Sequence, residues 1–598
     1  MDIMKPIAST EIPTGNEWMY EIKYDGFRCL LEWGHDSIRL ISRNNKELTG
    51  NFPEIIEFCK KTQPEIAPML PLMLDGELVV LNNPFQANFP WIQKRGRLKN
   101  KDTINKAAAS RPVSFLAFDI LMNKGGSCMK KPYQDRKAVL EKIFSYIAKN
   151  ERIRMIEAYA NPDDLWGIIF QHKSEGMIAK RKKSFYQHGK NHHDWFKIKN
   201  WRTIQGFLTF YDPNNHYFSV NVYKDKQVKE IGKCKHGLDT ETFQTLQQVF
   251  LKNGEKEVKG YNLPPAICAS LYTLDLHQNE LREPEFAAIL PESTPEECTL
   301  SKLQLAMAML PENVELTNME KVFWPAKNLT KGDLLIYMRE IAPYMLPFLK
   351  NRALTIIRSP DGVEAEFFFQ KHLPAYAPEF IDSIQAEDEK LILCNDLDSL
   401  IWFANHGAVE YHTPFQTADH TSPDEIVFDL DPPDRKSFDL AIQAANLIKP
   451  LLDDLELVSF VKTSGKKGLQ IHLPIPAGSM SYDETAVITE AIARTIETAY
   501  PDLFTTERMK KNRNNRLYID YVQHGKDKTL IAAYSPRKTT DATVATPLFW
   551  EEVTEGLRPE QFTITNTVER VQHLGCPFKT YFDAGEKQNL SRVMKLVK

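Results

Sequence analysis

The sequence predicts a multidomain α+β protein, and three observations predict it. Its 598 residues are enough for several domains, roughly three to five at ordinary size. Strand-like runs and amphipathic helical runs are mixed in the first 200 residues and again in the last 290 or so. Between them, from about Ile204, lies a series of short strands set off by turns, which suits a small β-barrel of about 90 residues. The predicted divisions are 1–202, 203–292, a connector over 293–310, and 311–598.

Composition narrows the class. The apolar fraction of 42% and charged fraction of 26% are those of a globular chain. The net charge is only −4, so any nucleic-acid surface must be local. No apolar run approaches the ~20 residues of a membrane span, and MDIMKPIAST lacks the apolar core of a signal peptide. Eight cysteines are scattered without a C-x-x-C pair, which argues against a zinc site or a disulfide framework and for a reducing cytoplasm.

Each element follows in order. Glu17 to Arg43 reads as a hairpin whose first strand, interrupted by a polar turn, carries Lys23 in Y-E-I-K-Y-D-G-F-R. NFPEIIEFCKK is a helix, MLDGELVVL a strand with Glu77, and VSFLAFDILM a strand with Phe118. QKRGRLKNKD is a basic loop. YQDRKAVLEKIFSYIAKN is an amphipathic helix, and RIRMIEAYA a strand. Glu175 precedes a glycine and an apolar run, as at a strand start facing a cleft. Lys197 and Lys199 are two apart on a strand, so both ammoniums point to one face and call for an anion between them. Residues 179–203 hold six lysines and two arginines against one aspartate, interleaved with aromatics, the local signature of a phosphate-tracking surface. His192 and His193 read as surface residues.

The short strands GFLTFY, YFSVNVYKD and QVKEIGKC, with the helical ETFQTLQQVFLKN, make up the barrel, of the OB type. PESTPEECTLSKLQLAMAMLPE reads as an interdomain connector with one helical stretch in KLQLAMAML. Beyond it, NLTKGDLLIYMREIAPYMLPFL is a helix capped by Thr330. In EIVFDLDPP, Asp429 and Asp431 share one strand face, and Pro432 stops the strand behind them. Two carboxylates on one edge are costly unless a divalent cation neutralises them. FVKTSGKKGLQIHLPI is a Gly- and Lys-rich loop between strands, shaped for phosphates, although it lacks the Walker A pattern. NNRLYIDYV places Asp520 on a further strand.

A lysine amine can attack the α-phosphate of ATP, provided cationic neighbours or a metal bring it below its free pKa of about 10.4. The series K-x-D-G-x-R, SRN, DGE, FDIL, EGMIAK and WFKIK resembles, in order and spacing, the adenylation domain of ATP-dependent DNA ligases, a nucleotidyltransferase fold. The resemblance implies that Lys23 is the nucleophile and that Glu21 and Phe118 flank the adenine. It places Arg28 and Arg43 at phosphates and the nick's 5′ end, and Glu77 at the ribose or a metal. Glu175 is implied as a metal ligand, and Lys197 and Lys199 as partners of the α-phosphate. LREPEF resembles the start of ligase motif VI, with Arg282, and then departs from it.

VEYHTPF, IVFDLDPP, KTSGKKGLQ, YIDYV and AAYSPR resemble, in order, the primase-like polymerase domain of bacterial DNA ligase D, which implies an RRM-like mixed sheet. By position, Asp429, Asp431 and Asp520 would bind Mg2+ or Mn2+, while His412, Ser464 and Lys467 would contact the incoming nucleoside triphosphate. Asn318, Lys321 and Lys331 would hold the 5′-phosphate across a gap, Lys331 being aided by free N–H groups of its helix N-terminus. Where the family has histidine after KGL this chain has Gln470, and His472, on the same face, is expected to take over its contact. The implied activity is repair of double-strand breaks: gap filling and end extension, then sealing through lysyl-AMP. The implied partners are DNA ends, nicks and gaps, and the end-binding protein Ku. No segment for a phosphoesterase domain is expected. The alternatives are an RNA ligase or capping enzyme, which leaves D-x-D unexplained, and a non-catalytic end scaffold, which leaves the site residues unexplained.

Overall fold

The computed structural model describes residues 3–147, 150, 152–277, 279–386 and 388–597. The chain divides into two compact units, 1–309 and 310–598.

In the first unit the expected interrupted strand is two strands belonging to two sheets. Trp18–Lys23 lies between Gly176–Arg181 and Ala158–Tyr159 in one sheet, with Trp195–Lys199 beyond Gly176–Arg181. Phe27–Trp33 lies between Ile38–Ser42 and Leu72–Val79 in the other, which continues to Ser114–Asn123 and Ile153–Met155. The Tyr24–Gly26 turn is thus the crossing between sheets. It needs glycine, because a Cβ on Gly26 would meet the Leu78 carbonyl oxygen at 2.2 Å. RIRMIEAYA is likewise split, with Ile153–Met155 in the second sheet and Ala158–Tyr159 in the first.

Each sheet buries one face under helices. Helix Pro162–His172 covers the first sheet with Leu165 and Ile169, against Trp18, Tyr20, Ile22 and Met177. Helices Pro53–Ile66, Phe89–Arg97 and Tyr133–Phe144 cover the second, each supplying buried apolar residues to one cluster. The opposite faces line a cleft. QKRGRLKNKD is therefore the end of one helix and the start of the next, Lys101–Ser110, capped by Asn100. Arg95 within it is buried on Glu54. His192 is also buried, with Nε2 against the Lys5 carbonyl, where the sequence placed it on the surface.

Residues 202–289 form a six-stranded sheet in the order Gln227–Cys234, Tyr217–Lys224, Arg202–Asp212, Tyr261–Thr273, Glu255–Lys256, with Glu285–Ile289 also on Tyr261–Thr273. Helix Thr240–Asn253, capped by Asp239, sends Leu246 and Phe250 into its core. The helical stretch expected within the connector is present and packs on this sheet. Helix Leu300–Ala308 buries Leu303 and Met307 in that same core, because its apolar face has the sheet to cover.

The second unit holds two main sheets. One runs Phe368–Gln370, Thr355–Arg358, Ala408–Thr413, Leu530–Ile531. The other is mixed and runs Phe504–Thr505, Leu517–Asp520, Glu425–Asp431, Leu469–Pro474, Phe460–Thr463, Pro547–Leu548. Helices Phe438–Asp454 and Tyr482–Ala499 pack on the latter over Phe428, Leu430, Ile471 and Ile519. That buries the odd-numbered or even-numbered partners of each strand and leaves Asp429, Asp431 and Asp520 on the other face.

Candidate functional sites

Lys23 ends its strand at a cleft of about 750 Å³, which Glu21, Arg28, Arg43, Glu77, Phe118, Glu175, Lys197 and Lys199 also line. All eight remaining residues predicted for this site therefore border one cavity with the lysine. Lys23 Nζ donates to Glu175 Oε1 in a close ion pair. Gly176 lets Glu175 reach it: its φ is +147°, and a Cβ there would lie 2.1 Å from the Ile198 oxygen. The second oxygen of Glu175 is buried with no hydrogen-bond partner among the described residues.

The cleft is charged throughout, and most of its charges are met internally. Arg28 donates to both oxygens of Asp75 at 3.1 and 2.7 Å, and its guanidinium lies 5.1 Å from the Phe118 ring centroid. Burial works against that charge, but Asp75 more than restores it, so the Arg28 pKa is raised. Burial pushes Glu77 up to about 8, against the pull of Lys23 and Arg28. Lys197 is lowered by burial and by Lys199 and Lys23. The anion expected beside the lysine pair is supplied by the chain itself: Lys199 Nζ donates to Glu283 Oε2 at 2.8 Å. Next to it, Arg282 forms a close ion pair with Asp25, the aspartate of K-x-D-G, and lies 4.0 Å from the Phe89 ring.

Sequence reasoning missed Lys180, although EGMIAK contains it. Its ammonium is buried, 2.6 Å from Glu21 Oε2 and 4.8 Å from the Phe118 centroid. Tyr133 and Lys137 each donate to Glu21 Oε1 at 2.6 Å. Burial opposes the Glu21 charge, but Lys137 and Lys180 outweigh it and hold the pKa low. The three donors come from a helix and a strand remote in sequence, so no local signal showed them.

In the second unit, Asp429 and Asp520 are paired in register across adjacent strands, with Asp431 opposite Tyr518. Burial, then Asp520 and Asp431, pushes Asp429 up to about 7 despite the Gln470 hydrogen bond, and burial with Asp431 raises Asp520. Asp431 is turned to Lys467 at 2.8 Å and Arg513 at 3.2 Å. Among the described residues, no three His, Cys, Asp or Glu side chains are gathered so as to hold a metal ion. The donor chemistry nevertheless fits a divalent cation. Three carboxylates share one face, and the burial and neighbouring carboxylates that raise Asp429 are costs of a buried anion that a cation offsets.

Gln470, not His472, meets the carboxylates. Gln470 Nε2 donates to Asp429 Oδ1 at 3.0 Å. His472 is two residues further from the strand end, buried, with Nδ1 2.8 Å from Glu425 Oε2, an oxygen that also accepts from Tyr581. Sharing a face is therefore not sharing a site, because two residues along a strand is a displacement of about 7 Å.

His412 Nε2 lies 3.0 Å from Glu410 Oε2, and around the same buried carboxylate stand Arg537 at 3.4 Å and Lys466 at 3.5 Å. Despite its burial, His412 and Arg537 pull Glu410 down to about 2. Ser464 Oγ accepts from the backbone N–H of Gly468 at 3.0 Å and orders the phosphate-shaped loop. Arg537, Lys466 and Lys538 were missed as site residues; Arg537 ends the A-A-Y-S-P-R string. The same region exposes Phe367, Phe368 and Phe369, with Lys538 4.3 Å from the Phe367 centroid and Arg358 5.0 Å from that of Phe368.

Lys321 and Lys331 do adjoin: Lys331 N donates to the Lys321 carbonyl at 2.8 Å, and Lys321 N to that of Asn318 at 3.1 Å. The expected free N–H groups are not there. Lys331 N is bonded to Lys321, Gly332 N to the Met319 carbonyl, and Asp333 N to the Thr330 hydroxyl of a capping box. The Lys331 side chain is buried against Thr317 Oγ1 at 3.2 Å, while Lys321 pairs with exposed Asp361.

Comparisons with known proteins agree with this division of chemistry. The model of the ATP dependent DNA ligase domain matches residues 3–199, and that of the LigD primase-polymerase domain matches residues 330–578. The chain thus joins an ATP-dependent DNA ligase domain to a primase-type polymerase domain. Over 605 residues the chain is 39% identical to the bifunctional non-homologous end joining protein LigD of Bacillus subtilis, spanning all of this chain and 99% of that one. To the multifunctional LigD of Pseudomonas aeruginosa it is 24% identical, over 98% of this chain and 72% of that one. The chain belongs to the LigD family. It is an ATP-dependent DNA ligase and polymerase of DNA end joining, not an RNA ligase or capping enzyme. Among solved structures, the polymerase domain of Mycobacterium tuberculosis Ligase D in complex with DNA is 30% identical. That match covers 46% of this chain and 99% of that one, with a TM-score of 0.42.

Proposed function

We propose that the first unit seals nicks through AMP carried on Lys23, and that the second adds nucleotides at the Asp429 face. Lys23 must shed a proton before its nitrogen attacks the α-phosphate of ATP. Glu175 is the carboxylate touching that proton. The N–P bond forms, pyrophosphate leaves, and AMP stays on the lysine. Phe118 stacks on the adenine, Glu21 lies at its polar edge, and Arg28 and Arg43 face phosphates. Lys197 and Lys199 take the α-phosphate charge once Glu283 gives way. A divalent cation on Glu77 and Glu175 would neutralise phosphate charge; the unpartnered oxygen of Glu175 supports that role.

In the second unit Asp429, Asp431 and Asp520 would hold Mg2+ or Mn2+, which supplies charge neutralisation at a nucleotide α-phosphate. His412, Ser464 and Lys467, joined by Arg537 and Lys466, form the cationic wall for the triphosphate. The exposed phenylalanines with Arg358 and Lys538 suit base stacking beside a phosphate track. Asn318, Lys321 and Lys331 bind a 5′-phosphate through side chains. Residues 203–292 act as an OB-type DNA clamp, and the polymerase sheet is RRM-like. The substrates are DNA ends, nicks and gaps, and Ku is the partner that the family resemblance implies. The protein works in the cytoplasm on the nucleoid; its eight cysteines are free thiols, and among the described residues no helix is long and apolar enough to cross a membrane.

The ion pair of Lys23 with Glu175 at the cleft mouth carries the reading of the first unit. Incubation with α-labelled ATP, followed by a denaturing gel, tests it: label should travel with the protein and be lost in Lys23→Ala. Persistent label in that variant contradicts the assignment.

A further inference from the structure

Across the mixed sheet of the second unit, four polar residues stand in one lateral row. Lys462 is opposite Gln470, Gln470 opposite Asp429, and Asp429 opposite Asp520. Directly opposed residues share a face and touch. Lys462 is fully buried and Gln470 is 2% exposed, so neither is a surface residue that happens to pass by.

The contacts along the row have a direction. Lys462 Nζ donates to Gln470 Oε1, and Gln470 Nε2 donates to Asp429 Oδ1 at 3.0 Å. A lysine carries donors only, whereas a glutamine amide has an acceptor at one end and donors at the other. The lysine contact therefore fixes which end of the amide faces the carboxylate. It also occupies an amide oxygen that would otherwise be buried unpaired, which is costly. One oxygen of Asp429 is thereby held, and its other is left to the open face shared with Asp431 and Asp520.

We propose that Lys462 and Gln470 are a positioning pair for nucleotide addition, setting the orientation in which Asp429 meets the divalent cation. Both act through the Asp429 carboxylate. The inference rests on the reading of Asp429 as part of the addition site. Removing an outer partner of a metal-ligating group typically costs about 10- to 100-fold in metal affinity or activity, so Lys462 should matter although it lies one residue removed.

The test uses the full chain in four forms: Lys462→Met, Gln470→Leu, the double variant, and Asp429→Ala as reference. Three quantities are measured: Mn2+ binding by electron paramagnetic resonance, taken as the sites lost in Asp429→Ala; kcat and KM for single-nucleotide addition; and thermal unfolding. Sealing of a ready nick by the first unit controls for integrity of the preparation. Lys462→Met should weaken Mn2+ binding and lower kcat by about tenfold or more, with KM for the nucleotide within about threefold. The double variant replaces both polar partners together, so it should regain the thermal stability lost in Lys462→Met while Mn2+ binding stays weak. If Lys462→Met does not fold, the double variant decides by the same Mn2+ criterion. Wild-type Mn2+ binding in folded Lys462→Met, or recovery of Mn2+ binding along with stability in the double variant, overturns the proposal. If Asp429→Ala itself keeps nucleotide addition, the reading of the site has failed, a result distinct from failure of the positioning pair.

Discussion

The two units treat charge in opposite ways. In the Lys23 cleft most of the named charges have an internal counter-charge: Lys23 with Glu175, Arg28 with Asp75, Lys199 with Glu283, Glu21 with Lys137 and Lys180. At the Asp429 face, carboxylates stand beside carboxylates, and Asp431 alone is ion-paired, with Lys467 and Arg513. The first site is largely paired before ATP arrives, Glu77 and Lys197 being its strained members, so its ligand must displace partners. The second gathers three carboxylates on one face, where burial first, and neighbouring carboxylates after it, raise Asp429 and Asp520, so a cation there would offset both costs.

The comparison breaks most visibly at Asp429. Asp429→Ala or Asp431→Ala should reduce primer extension to background while leaving the sealing of a ready nick unchanged, measured on two labelled duplexes. Extension that persists in the double variant would remove the cation from the account. A smaller effect sharpens the other side. If Glu283 holds a place that phosphate later takes, Glu283→Gln should lower the KM for ATP in self-adenylation by about fivefold, the scale of a partly exposed ion pair. A raised KM would show instead that Glu283 positions Lys199 for the nucleotide.

The smallest effect concerns Lys331, whose pKa burial and Lys321 lower to about 8. A lowered lysine pKa means that the cation is present below about 8 and lost above it. Gapped DNA with a 5′-phosphate should bind roughly tenfold more tightly than its 5′-hydroxyl counterpart at pH 7 and moderate salt. That preference should shrink between pH 7.5 and 9, and shrink less in Lys331→Arg. A pH-independent preference in the wild type would assign the phosphate to other groups.

How much of this was legible depended on the range of each interaction. That Lys23, Glu77, Glu175 and the lysine pair line one cleft was readable because they sit in short local strings whose strand parity sets their direction. The capping of the Lys331 helix by Thr330 was readable for the same reason. Its N–H groups were not, because the acceptors Met319 and Lys321 lie in a preceding turn whose path no local pattern gives. Lys180 and Glu283 became visible only when distant strands met. His472 was misjudged because parity specifies a face but not a height along it. The two-sheet crossing at Tyr24–Gly26 was hidden because a crossing and a hairpin interruption have the same Gly-containing signature.

The central claim is that one chain carries two independent chemistries, and a single gel on Lys23→Ala tests it most directly. The substrate is a one-nucleotide gap with a 5′-phosphate, a labelled 3′-hydroxyl strand, ATP, the matching nucleoside triphosphate and Mn2+. The account predicts a strand lengthened by one nucleotide and never joined to its neighbour. A folded Lys23→Ala protein that fails to lengthen the strand, or one that seals it, would contradict the separation of the two sites.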